Sequence, residues 1–352
     1  MAFRFWRRVR IAKGVTQNLS KGGVSASFGP RGAKYAVGRR GQRATVGLPG
    51  TGLFYTMQPG SGTTSKSGAG RSRGQGASQP AASPAPVPDR LTPGFFKRMW
   101  ISQDERQFMA GLKAFTAGHH HKAYGLLKTG LHTADAAYVC GFLAINEKDY
   151  KTGEQALKIA LTRHKELGRC LKKYGLRLSL GLNITDEIFA TVTFDRRGVL
   201  LGFVEIWQRQ GRYQEAADAL LELRKQLPSD VVIKLSLAEL LVTTDPENKE
   251  HAEYVVKMTA RLENESAIHA ALLLYKTRSL RVLGLPTAAR DALTAGLRRK
   301  KDRPEELLKA LAYERALVYE DLRQKARARS EWEALYARDP GYEDVAERLG
   351  VR

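Results

Sequence analysis

Cysteine is scarce. The two thiols in 352 residues, Cys140 and Cys170, exclude a disulfide-stapled fold or a cysteine-built zinc module. Long apolar runs are missing as well, and no stretch nears the ~18 consecutive apolar residues a membrane span needs. The basic start, Met1-Ala-Phe-Arg-Phe-Trp-Arg-Arg, leads into no apolar core. A secretory leader is therefore not expected, and a cytoplasmic protein is. Strong catalytic signatures are also missing: there is no nucleophile elbow, no His-Glu-x-x-His and no paired carboxylates. Asp186-Glu187 reads as a turn, and Glu305-Glu306 follows Pro304, where acids favour a helix start. His119-His120-His121 follows Gly118. Three successive side chains at a helix start diverge too far to share one metal, so an inter-helix turn is the simpler reading. Cys140 and Cys170 stand in apolar helical contexts and are read as core. No enzyme, metal or cofactor is expected.

Acid is nearly absent from the first quarter of the chain. Residues 1–93 hold 15 Lys+Arg and one acid, Asp89, whereas the whole chain carries a net charge of +22. Such an asymmetry fits a polyanion or an acidic surface as partner, or a Gly-rich module that uses arginine for solubility. Within it, Phe3–Ile11 alternates. Phe3, Phe5, Val9 and Ile11 share one face, and Arg4, Arg8 and Arg10 share the other with Trp6. Period two is the strand signal. Glycine-rich turns at 13–14, 21–23, 29–32 and 38–41 separate further short runs, as in a meander of hairpins. Pro49-Gly-Thr-Gly lacks the Lys-Ser/Thr of a phosphate loop. Residues 1–58 are thus expected to form a small basic all-β domain.

Phe3-Arg-Phe, Asn18-Leu-Ser-Lys-Gly-Gly-Val-Ser, Gly38-Arg-Arg-Gly and Val46-Gly-Leu-Pro-Gly-Thr-Gly-Leu-Phe-Tyr resemble the bacterial family called Domain of Unknown Function 4236. The resemblance covers about the first 57 residues. It implies a small N-terminal β domain attached to varied partners and assigns a role to no residue. Residues 59–93 read as a disordered linker. Over 59–90 there are six Gly, six Ser, five Ala and five Pro, too little apolar surface to offset chain entropy.

Residues 94–352 read as helices that repeat. Ala316-x2-Tyr319, Ala328-x3-Trp332 and Pro340 share their spacing with Val204-x2-Trp207, Ala216-x3-Leu220 and Pro228. A small residue lets two helices approach, an aromatic fills the gap between units, and proline stops the second helix. Weaker units pair Gly118 with Ala123, Ala144 with Ala156, Ala238 with Ala252, and Gly284 with Ala289. The pattern resembles the tetratricopeptide repeat, a helix–turn–helix unit of about 34 residues. Arg315 departs from it, standing where a large apolar residue is usual.

Between two of these units, Leu176–Ile184 and Ile188–Phe194 alternate around Thr185-Asp186-Glu187. This predicts an inserted β-hairpin over 176–195. An isolated hairpin is marginal in water. Its apolar face is expected to pack on the helices at 155–172 and 199–210, as a spacer in the array. Docking on the N-terminal domain is also within reach of the linker, about 30 Å for a flexible chain of that length.

By the repeat resemblance, first helices line the inner face of the array. Inward positions then include Glu205, Gln208, Glu239, Arg278, Arg281, Tyr313 and Glu320, which suits an extended peptide or a helix. The expected function is a non-enzymatic adaptor that binds a protein or peptide. The alternative is nucleic-acid binding by Arg4, Arg8, Arg10, Arg39 and Arg40, with Trp6 and Tyr35 as stacking groups.

Overall fold

Polar caps fix where the helices begin. In the computed structural model, Ser102 Oγ accepts from Glu105 N–H at 3.2 Å and opens α1 (Gln103–Thr116). A cap of this kind satisfies a backbone donor that has no partner within the helix. After α2 (His120–Lys128), Thr133 caps α3 (Ala134–Asn146) and Asp149 caps α4 (Tyr150–Thr162), each through a backbone N–H at 3.1 Å. The structure describes residues 102–351 except Gly175 and Glu187, with most of their side chains. Nearer the N-terminus it describes the backbone of six strand segments: β1 (Trp6–Ala12), β2 (Val15–Ser20), β3 (Gly23–Phe28), β4 (Ala33–Gly38), β5 (Gly41–Gly47) and β6 (Phe54–Pro59). The expected linker, 59–93, lies outside the described residues but for the end of β6.

The chain divides into two compact parts: residues 1–181 with 191–206, and residues 182–190 with 207–352. In the first, α1 packs on α2 and α3 on α4. Phe108, Leu112, Phe115 and Leu127 form one layer of core, and Tyr138, Phe142 and Leu157 another. A Cβ on Gly141 would stand 2.6 Å from Leu157 Cγ, so α3 and α4 approach more closely than a side chain at that position allows. The paired alanines of the repeat pattern, Ala144 and Ala156, are fully buried.

The helix expected through 155–172 breaks at Arg163. His164–Glu166 form a 3-10 turn, Gly168 adopts φ +80°, and the short α5 (Arg169–Lys173) follows. The cause lies on another helix. The buried carboxylate of Asp135 accepts from the N–H groups of Gly168, Cys170 and Leu171 at 2.5, 2.9 and 3.4 Å. Those three donors turn the chain back onto α3. Burial pushes the Asp135 carboxyl up from its ordinary value, and the three N–H groups oppose that shift. Glu105 on α1 accepts from Lys173 Nζ at 2.7 Å and Tyr174 OH at 3.1 Å.

The inserted hairpin consists of β7 (Leu176–Asn183) and β8 (Phe189–Val192). Its alternation is realised in burial. Leu176, Leu178, Leu180, Leu182, Ile188, Ala190 and Val192 are buried, whereas Thr191 and Thr193 are exposed. After β8, Tyr138 OH donates to Thr193 O at 2.8 Å, and the rings of Tyr138 and Phe194 lie 4.4 Å apart. Asp195 Oδ1 then accepts from Gly198 N–H at 2.7 Å in the first turn of α6 (Arg196–Arg209).

The second part holds α7 (Tyr213–Gln226), α8 (Val231–Thr244), α9 (Lys249–Met258), α10 (Ala267–Val282), α11 (Pro286–Leu297), α12 (Glu305–Asp321), α13 (Lys325–Arg338) and α14 (Val345–Leu349). Neighbours in sequence pack as antiparallel pairs, and α10 also touches α8 and α12. The repeat-pattern alanines 216, 238, 252, 289, 316 and 328 are all buried, as expected of residues that let helices approach. Gly284 makes the α10–α11 turn at φ +71°, a conformation that costs glycine little. Arg315 is accommodated by an ion pair with Glu331 at 2.6 Å. Val345 of α14 packs into the cluster of Ala312, Ala316, Ala328, Trp332 and Leu335. Among the described residues no helix is long and apolar enough to cross a membrane.

Candidate interaction cleft

The inner positions of α10 and α12 face an open cleft of about 1000 Å³ in the second part. Arg278 and Arg281 are three residues apart on α10, hence on one face. Glu314 and Asp321 are seven apart on α12, with the same consequence. The two faces meet at Glu314, whose side chain is only 4% exposed. Arg281 Nη1 donates to its Oε1 at 2.7 Å, and Arg278 Nε donates to its Oε2 at 3.2 Å. Arg281 Nε also reaches Asp321 Oδ2 at 2.6 Å. Burial works against the Arg281 cation, but Asp321 and Glu314 more than offset it, and its pKa is raised. Arg278 lies over the Tyr275 ring, 5.3 Å from its centre.

The remaining wall is mixed. Glu247 and Lys249 bring opposite charges, and Val242, Val282, Pro246 and Pro286 bring apolar surface. With Arg278, Arg281, Glu314 and Asp321, the cleft carries three formal cations and three anions. Its lining contains no histidine or cysteine. Such a wall suits a chain that presents backbone hydrogen-bonding groups alternating with small side chains.

The other inner-face positions lie elsewhere. Gln208 Nε2 donates to Glu239 Oε2 at 3.1 Å, a separate polar link in the second part. Tyr313 OH donates to Asp344 at 2.6 Å, and its ring meets Trp332 edge-on at 5.0 Å. Glu320 accepts from Trp332 Nε1 at 3.0 Å and Arg348 Nη1 at 2.7 Å. Tyr313 and Glu320 therefore tie α12 to α13 and α14. Glu205, on α6, is half-buried. The side chains of Arg4, Arg8, Arg10, Arg39, Arg40, Trp6 and Tyr35 lie outside the described residues. Sequence reasoning missed Glu314 and Asp321. Their seven-residue spacing was the available signal, but nothing local marks Glu314 as the acid that two arginines share.

Two other groups bear on chemistry. His119 is the N-cap residue of α2, His120 lies edge-on to Phe115, and His121 Nδ1 meets Glu147 Oε2 at 3.0 Å. Among the described residues no group of three His, Cys, Asp or Glu side chains is placed to hold a metal ion. Cys140 and Cys170 are free and buried, and burial pushes their thiols up to about 12 and about 11. The thiolate is the reactive form. Iodoacetamide at neutral pH should therefore leave both unlabelled in the folded protein and label both in urea, as read by intact mass.

Comparison with known proteins agrees with this architecture. Residues 3–56 match the family model described as "Protein of unknown function (DUF4236)". No curated protein matches the chain. Among solved structures, the N-terminal domain of the EccA1 ATPase from the ESX-1 secretion system of Mycobacterium tuberculosis is similar at 16% identity and a TM-score of 0.52. The match covers 70% of this chain and 88% of that one. Pseudomonas aeruginosa pilF is similar at 16% identity and a TM-score of 0.45, covering 71% and 97%. A thermophilic TPR protein from Thermus thermophilus follows at 15% identity and 0.37, covering 62% and 98%. The helical part of the chain thus shares the fold of that EccA1 domain, and it follows an N-terminal segment that matches DUF4236.

Proposed function

We propose that this protein is a non-enzymatic cytoplasmic adaptor whose helical array holds an extended segment of a partner protein in the cleft of Arg278 and Arg281. In this reading residues 1–58 form a small basic β module, 59–93 a linker and 94–352 the binding array. The observation that carries the proposal is the pair of arginines set over the buried Glu314 in an open, charge-balanced groove. The two guanidinium groups are held in place before any partner arrives, which lowers the ordering cost of binding. The apolar wall offers contact area to small side chains, and the polar rim offers partners to a peptide backbone.

The test is site-specific photo-crosslinking of the full chain in its native host. The photoreactive residue is placed at Val242 or Pro286 in the cleft, and at the exposed Lys225 on α7 as control. One partner band, captured at both cleft positions, absent at Lys225 and lost in Arg278→Ala/Arg281→Ala, is the expected result. The same bands at all three positions would overturn the assignment of the cleft.

A further inference from the structure

β7 is twice as long as the strand it turns into. The hairpin turn is closed by Ile184 N–H to Ile188 O at 2.8 Å and Ile188 N–H to Thr185 O at 3.3 Å. Counting outward from that turn, the four residues of β8, Phe189–Val192, reach back only to Leu180. β8 can serve only one edge of β7, and only in part; the opposite edge, which β8 cannot reach at all, is the one that faces β6 in the sheet order. The stretch Leu176–Leu180 is held as strand, with Leu176, Leu178 and Leu180 at 6, 7 and 3% exposure. Its inner face is therefore spent on the protein interior, while the backbone edge turned away from β8 still needs hydrogen-bond partners. An edge in that state is a template for another strand.

The geometry points to one occupant: the chain's own Phe54–Pro59. We infer that Leu176–Leu180 is a strand-accepting edge, and that β6 fills it, docking the DUF4236-matched segment on the hairpin. The β6 backbone runs antiparallel to this stretch in the register Tyr55–Leu180, Thr56–Ser179, Met57–Leu178, Gln58–Arg177 and Pro59–Leu176. That register sorts residue types. Tyr55 and Met57 fall opposite the buried leucines, while Thr56 and Gln58 fall opposite Ser179 and Arg177. A slip of one residue would set Thr56 and Gln58 against leucines, which is why register is well specified where one face is buried. Pro59 ends the ladder, because it has no N–H to continue it.

Docking by an edge and packing by a face use different surfaces of the same hairpin. The spacer role and the docking role, which look like rivals in the sequence, are therefore compatible. An outside strand that sought this edge would first have to displace residues 54–59.

Paired cysteines in the full chain test the inference. Thr56→Cys/Ser179→Cys and Met57→Cys/Leu178→Cys occupy alternate ladder sites, so one of the two has the shorter Cβ separation that a disulfide requires. Ser20→Cys/Ser179→Cys is the control for random encounter along the tether. Cys140 and Cys170 are buried with raised thiol pKa values and do not compete. Mild oxidation should link at least one register pair within a single chain, at least tenfold faster than the control, as read by non-reducing gel and intact mass. Equal rates for register and control pairs would overturn the inference, as would no link in either register pair. A link found only between two chains, rising with concentration, would overturn it in favour of a second copy as occupant.

Discussion

Replacing Glu314 by alanine should destabilise the protein by about 3–5 kcal/mol, the usual cost of removing one partner from a buried ion pair. The side chain is 4% exposed and accepts from both Arg278 and Arg281. Without it, two guanidinium groups converge on an empty site, and only Asp321 remains to hold Arg281. The urea midpoint of the transition that reports α10 and α12 should fall accordingly. Glu314→Leu combined with Arg281→Met and Arg278→Met should recover most of the loss, because apolar replacement of a whole buried ionic group is often neutral. That triple variant also separates stability from binding. It should fold and yet lose the partner captured from Val242. A Glu314→Ala protein as stable as its parent would mean that the cleft arginines do not depend on this carboxylate.

Gly198→Ala should have an effect of comparable size in the first part, about 2–4 kcal/mol by overpacking. A methyl group there would stand 2.2 Å from Thr193 O and 2.4 Å from Tyr138 Oη. These are the two atoms of the hydrogen bond that anchors the end of the hairpin to α3. Neither can retreat cheaply, because one is backbone and the other belongs to a fully buried ring. Amide exchange over 188–195 should rise sharply. Tyr138→Phe removes only the hydrogen bond and should cost about 1 kcal/mol, with a much smaller rise in exchange. If Gly198→Ala behaved no worse than Tyr138→Phe, close approach would not be what the glycine provides.

The helix pairs were legible because each rests on a short-range pattern. The alanines at 216, 252, 289 and 328 mark where helices touch, and Gly118 and Gly284 mark turns at positive φ. The hairpin was legible from period-two alternation around Thr185–Glu187. What the pattern hid was the break after Thr162. Its cause is Asp135, about thirty residues away, whose carboxylate takes the N–H groups that a continuing helix would have used internally. Arg323 likewise makes a left-handed turn at φ +57° with no glycine to announce it, because the flanking bond from Gln324 N–H to Tyr319 O at 2.8 Å closes the turn.

The candidate cleft was half legible for the same reason. Helical spacing puts Arg278 and Arg281 on one face of their helix, and the repeat resemblance implied that this face looks inward. By themselves they are two exposed-looking cations among the 58 Lys and Arg of the chain. Tyr313 and Glu320 satisfy the same spacing, yet their side chains bond to α13, α14 and the Asp344 beside it, because those helices pack over that stretch of α12. Patterns along one segment pointed to the repeating helix pairs, the inserted hairpin and which residues share a helix face. They act over a few residues and depend only on local backbone geometry. Which acid meets which arginine, which glycine must lack a Cβ and which strand takes the second edge of β7 depend on atoms brought together from distant parts of the chain. Those were decided only by tertiary packing, where burial makes a single misplaced charge or methyl group cost several kcal/mol.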